Sequence, residues 1–100
     1  MSVYVDPVRE WGARRNFRWP RSCHMYADTL EELHAMAAAI GMRREWFQDR
    51  EDLPHYDLVP ARRVRAVELG AIEHDSHQTV AFMRRRRGGA TSGDLFGGAL

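Results

Sequence analysis

The stretch DTLEELHAMAAAIG, from Asp28 to Gly41, limits the folds open to this chain more than any other. Leu30, Leu33, Ala37 and Ile40 recur in three- and four-residue steps, which is the spacing of one face of an α-helix. Asp28 offers a carboxylate to the free N–H groups of the first turn, and Glu31 stands three residues on, as in a capping box. Ala35 and the run from Ala37 to Ala39 favour helix, and Gly41 suits the position that closes one. Two β-rich segments precede it: Ser2 to Val5, halted at Asp6-Pro7, and Ser22 to Ala27. Such a chain must place at least one helix against strands.

The remaining segments continue that pattern. Val8 to Trp19 has neither helical nor strand periodicity and reads as a loop carrying Trp11, Phe17 and Trp19 among arginines. Core closure or base stacking would each account for these aromatics. Met42 to Gln48 reads as a helical turn with Trp46 and Phe47 facing inward, and Asp49 to Pro54 as a polar loop. Pro60 fits the first turn of a second helix whose inner face is Val64 and Val67, with Leu69 a further candidate; Gly70 ends it. Ala71-Ile72-Glu73 suits a short strand, and Asp75 or Ser76 a cap for a third helix through Met83. An extended reading of Gln78 to Met83 competes there, because Thr79, Val80 and Phe82 also favour strands. From Gly88 the sequence GGATSGDLFGGAL has the composition of a flexible tail. The expectation is a small single α/β domain over residues 1–87, with a short, mainly parallel sheet packed by about three helices, and a tail at 88–100.

Composition narrows the function classes. No apolar run approaches the ~20 residues of a membrane span, and no apolar leader core is visible at the N-terminus. A single cysteine, Cys23, leaves no internal disulfide, which fits a cytoplasmic protein. The net charge is +1, yet all 15 basic residues are arginine and they cluster. Arg9, Arg14, Arg15, Arg18 and Arg21 crowd the start, and Arg84 to Arg87 are consecutive. Phosphate recognition and a GC-rich genome both produce such usage.

Titratable groups concentrate between His24 and Asp57. In a parallel α/β sheet, ligands bind beyond the carboxyl ends of the strands. Asp6, His24, Asp28, His55 and Asp57 are the residues placed to meet at such a mouth. Asp6, His24 and His55 are candidate ligands for a divalent metal such as zinc or manganese, and His55 and Asp57 candidate catalytic groups. A metal with an open position would activate water for hydrolysis of nucleic acid or nucleotide phosphoesters, with Arg14, Arg15 and Arg18 holding the phosphate. Simpler roles stand beside these: Asp28 and Asp57 as helix caps, His24 as a core histidine, His34 at a helix edge, His74 and His77 at the surface. HExxH, paired CxxC, GxSxG and a glycine-rich phosphate loop are all missing from the sequence. A non-catalytic nucleic-acid-binding module or a protein adaptor is the alternative. In the tail, SGDLF resembles the latter half of the bacterial sliding-clamp-binding peptide, making Leu95 and Phe96 candidate clamp contacts.

Several of these residues recur in one known family. They are Val3 to Asp6, His24, Ala27-Asp28, Glu32-Leu33-His34, Phe47-Gln48, His55 to Asp57, Arg65 and Gly70-Ala71. Together, over roughly residues 2–74, the chain resembles a small bacterial and phage domain, the domain-of-unknown-function family numbered 4031. The resemblance implies a shared fold and site position and brings no activity with it.

Overall fold

A computed structural model describes residues 2–10 and 21–92. Trp11, Arg14, Arg15, Phe17, Arg18 and Trp19 lie outside the described residues, as do Leu95 and Phe96 of the tail. In chain order the elements are β1 (Val3–Val5), β2 (Arg9–Glu10), β3 (Arg21–Ala27), α1 (Leu30–Ala39), a 3₁₀ turn (Arg44–Trp46), β4 (Tyr56–Leu58), α2 (Pro60–Glu68), β5 (Ile72–Glu73) and α3 (Ser76–Ser92).

The sheet is organised on β3, which pairs antiparallel with β1, β2 and β4; among the described residues only β5 joins in parallel, on β1. The sheet is therefore mixed, not mainly parallel as the alternation of strands and helices suggests. Only the β4–α2–β5 passage is a true crossover between strands of the same direction. After α1 the 3₁₀ turn and a bridge between Gln48 and His55 fold the chain back, so β4 runs against β3. Near Asp6 the β1–β2 segment bulges. The register that sets Val5 opposite Met25 would put Val8 opposite Ser22, but Arg9 stands there. A bulge of this kind bends the strand and re-aims its side chains.

Alternation along the strands sorts side chains to two faces. Val3, Val5, Cys23, Met25, Tyr56 and Leu58 form one face, closed by Leu33 and Ala37 of α1 and Ala66 of α2. Burial pushes the Cys23 thiol up to about 12, which makes it an inert core residue. The opposite face carries Tyr4 and Tyr26 beneath α3, where Phe82 packs with ring centroids 5.4 and 4.8 Å away.

Helix ends differ from expectation by small steps. Thr29, one residue after Asp28, is the N-cap of α1: its Oγ1 accepts from Glu32 N and donates to Glu32 Oε1. Asp28 instead accepts from Ser2 N and the Tyr4 hydroxyl, pinning β1 to the end of β3. A reciprocal box joins Asp75 and Gln78 at the start of α3, and Thr79 to Met83 is helical. Leu30 and Val64, expected inside, are 48% and 58% exposed. Ala66 is the residue α2 buries, and its small side chain lets the helix approach the sheet closely. Trp46 is also exposed, below the guanidinium groups of Arg43 and Arg62.

His74 is more than a surface residue. Its Nδ1 lies 2.9 Å from the Tyr26 hydroxyl, which is 2.8 Å from Thr79 Oγ1, and its ring stacks on Tyr4. Burial, then Arg85, lower its pKa below 6.5, against the opposing pull of Asp75 and Asp28. A histidine with a depressed folded-state pKa binds fewer protons folded than unfolded. Its contribution is thus present above the ordinary value of ~6.5 and is lost as the pH falls from there through the lower folded-state pKa. The melting temperature of the native chain should therefore decline between about pH 7 and pH 5 more steeply than that of a His74→Phe variant. Parallel declines would remove His74 from the acid sensitivity of the fold.

Candidate metal centre

The register of three strands builds the site. Asp6 follows directly after β1, His24 is in β3, and Asp57 in β4 is the direct partner of His24. His55, two residues before Asp57, shares its face of the sheet. Four titratable residues from three neighbouring strands therefore point to the α3 side, while Cys23, Met25 and Tyr56 between them point into the core.

Asp6 is fully buried, and both its carboxylate oxygens engage His24. Its Oδ1 accepts from the His24 backbone N at 2.7 Å, taking the place of a ladder carbonyl at the bulge, and its Oδ2 lies 2.8 Å from His24 Nδ1. Facing a carboxylate, Nδ1 is the donor, which leaves the lone pair of Nε2 pointing away. His55 is held in the same way: Nδ1 donates to the Leu53 carbonyl at 2.7 Å, and Nε2 faces outward to Asp57. Both Nε2 atoms are directed at Asp57 Oδ1, 4.0 Å from His24 and 3.4 Å from His55. The other oxygen of Asp57 accepts from Gln48 Nε2. Burial alone would lower the His55 pKa, but its contacts with Asp57 and Leu53 outweigh that and raise it. Burial would likewise raise Asp57, yet His55 and Gln48 hold its carboxyl below the usual range.

His24, His55 and Asp57 thus offer three ligand atoms, all within 4.8 Å of one another. Around a tetrahedral zinc ion with bonds of ~2.0–2.1 Å, ligand atoms sit roughly 3.3 Å apart. The group is more widely spaced than that, with His24 Nε2 4.0 Å and His55 Nε2 3.4 Å from Asp57 Oδ1. The Asp57 side chain is 36% exposed, against 25% for His24 and 9% for His55, so the cluster opens to solvent along Asp57. Beside it lies a cavity of about 360 Å³ between the sheet, α3 and residues 50–53.

The family model described as "Protein of unknown function (DUF4031)" matches residues 3–86. The chain belongs to the DUF4031 family. Neither a curated protein nor a solved structure gives a match. The matched span of the DUF4031 domain contains Asp6, His24, His55 and Asp57, and it stops short of Leu95 and Phe96.

Of the residues singled out in the sequence, His24, His55 and Asp57 come together, with Asp6 behind His24. Asp28 sits at the far end of β3, bonded to Tyr4. His34 is on the core side of the sheet, where its Nδ1 meets the Tyr56 hydroxyl at 2.9 Å. Burial followed by the charge of Arg44 lowers its pKa. Arg14, Arg15 and Arg18 lie outside the described residues. Near this cluster, Gln48 and Arg50 were not singled out by the sequence, whereas Arg9 belongs to the arginine-rich start of the chain. Gln48 fixes Asp57, and Arg9 and Arg50 line the adjoining cavity. For Gln48 a signal existed in the Phe47-Gln48 pair. Arg50 had none, because it reaches the cavity from an irregular loop. Among the described residues, no helix is long and apolar enough to cross a membrane.

Proposed function

We propose that this DUF4031 domain holds one divalent metal ion through His24 Nε2, His55 Nε2 and Asp57, and uses it to hydrolyse a phosphoester of a nucleotide or nucleic acid. One observation carries the reading: two imidazoles, each anchored through Nδ1, turn their Nε2 atoms toward the same carboxylate. Metal-binding histidines nearly always donate their other ring N–H to a carboxylate or carbonyl, as His24 does to Asp6 and His55 to Leu53. Two imidazoles and a carboxylate suit zinc or manganese.

In this reading Asp6 orients His24 and is not itself a ligand. Three protein ligands would leave at least one position for water, and a bound ion would supply the acidity that makes such a water a nucleophile near neutral pH. The open side of Asp57 would give the released proton a path to solvent. In the net reaction water would add to phosphorus as the bond to the ester oxygen breaks, and the departing alkoxide would take its proton from solvent water. Arginines near the site would hold the remaining phosphate oxygens. Calorimetric titration of chelator-treated protein with zinc and with manganese is the first test, and uptake of one ion per chain is the expected result. Failure of both ions to bind would end the metal reading.

A second reading has its own support in Arg84 to Arg87, all exposed on α3. Such a run would attract phosphate backbones without sequence preference. Changing all four to glutamine should weaken binding to unrelated oligonucleotides alike. The log–log salt slope should flatten by about 0.9 for each duplex phosphate that the variant no longer neutralises. An unchanged slope would leave the run as a solvated helix face.

A further inference from the structure

The cavity beside the metal ligands has walls of two kinds. Arg9 and Arg50 line it together with His24 and His55, while Leu53, Val80 and Met83 contribute apolar surface. Arg9 is tethered but not consumed. One nitrogen lies 3.8 Å from Asp6 Oδ2 and another donates to Ser76 at 3.2 Å, and the side chain remains 40% exposed. Arg50 is exposed, and its charge reaches His55. The acids of the lining are Asp6, already committed to His24, and the exposed Asp52. Two guanidinium groups next to an apolar strip are complementary to a molecule with an anionic head and an organic body.

Size limits the candidates further. About 360 Å³ is at the small end of the ~300–1,000 Å³ common for small-molecule sites. The Arg86 side chain donates to the Glu51 carbonyl at 2.8 Å, tying α3 to the loop opposite. A hollow of this volume between tied walls accommodates the end of a molecule, not the middle of a polymer.

We infer that the site takes a small organic phosphomonoester, its phosphate held by Arg9 and Arg50 and its organic group laid against Leu53, Val80 and Met83. The inference deepens the proposed function and rests on it for the reaction, though not for binding. In that reaction water adds to phosphorus, the ester P–O bond breaks, and the products are an alcohol and inorganic phosphate.

The test uses phenylphosphonate, whose C–P bond is not an ester and survives hydrolysis. Its binding to the full chain is measured by calorimetry, first in chelator and then with zinc. The expected result is binding in chelator that Arg50→Gln weakens by about tenfold. Val80 is 42% exposed, so Val80→Asp alters the apolar wall without disturbing the core. That variant should weaken phenylphosphonate more than inorganic phosphate. Arginine-dependent binding in chelator by a protein that takes up no zinc would keep the subsite and remove the metal chemistry. Binding seen only with zinc, or equal binding by native protein and Arg50→Gln, would overturn the subsite. An equal effect of Val80→Asp on both probes would overturn the place of the organic group. Tighter Arg50-dependent binding of an oligonucleotide lacking terminal phosphates would overturn the monoester assignment.

Discussion

Replacing His55 with alanine is expected to abolish tight metal binding while leaving the domain folded. The substitution removes one of the three proposed ligand atoms outright. The loss should exceed the ~10–100-fold typical when only an outer hydrogen-bond partner is removed. Stability should fall far less. His55 is 7% exposed, and its side chain bonds to the Leu53 carbonyl, so truncation leaves a carbonyl to find water. That costs about 1–3 kcal/mol. Zinc titration and urea unfolding of the same preparation give the two numbers. A variant that takes up zinc as the native protein does would leave the cluster as hydrogen-bonded packing and no more.

The second large effect is expected from Asp6→Asn, which keeps the shape of the side chain and changes one atom. The asparagine carbonyl can still accept from the His24 backbone N–H. Its amide then faces Nδ1, where donor meets donor unless the imidazole moves its proton to Nε2. That tautomer has no lone pair left at Nε2 for a metal. Zinc affinity should drop by about 10–100-fold although no proposed ligand is altered. Because Asp6 is fully buried, stability should also fall, by about 1–3 kcal/mol. The tautomer can be read separately from the imidazole ¹⁵N shifts of His24. Lower stability with unchanged zinc affinity and unchanged shifts would confine Asp6 to a scaffolding role.

Much of this arrangement was legible because strands expose alternate residues to opposite faces. The β-rich run Ser22 to Ala27 separates Cys23 and Met25 from His24, and the same rule puts His55 and Asp57 on one side. The end of β1 at Asp6-Pro7 was equally plain, since proline offers no N–H to continue a ladder. Strand direction was not legible. A helix between two strands looks the same whether the chain then crosses over or turns back, and here the Gln48–His55 bridge decides it. Helical spacing located the face of α1 but not its edge, and it missed most of the face of α2, which buries Ala66 while Val64 and Leu69 stay exposed. Leu30 and Val64 keep the right step from their neighbours and still fall beyond the sheet they would cover. Thr29 took the cap from Asp28 because Asp28 is drawn to Tyr4, a contact spanning 24 positions of the chain. Arg9 and Arg50 reached the cavity through a bulge and a loop, which leave no periodic trace.

β3 serves two clients with consecutive residues, the core through Cys23 and Met25 and the site through His24. This has a consequence for how such a domain can vary. Gaining or losing one residue in β3 would turn histidine inward and sulfur outward, undoing the packing and the His24–His55–Asp57 cluster in a single event. The strand can therefore change only by substitution. The loop opposite α3 carries no such coupling. Lengthening or shortening residues 49–52 would reshape the cavity wall while His24, His55 and Asp57 stay where the sheet puts them. Diversity among chains built on this plan should accordingly appear as loop length at the cavity, over a β3 of fixed length.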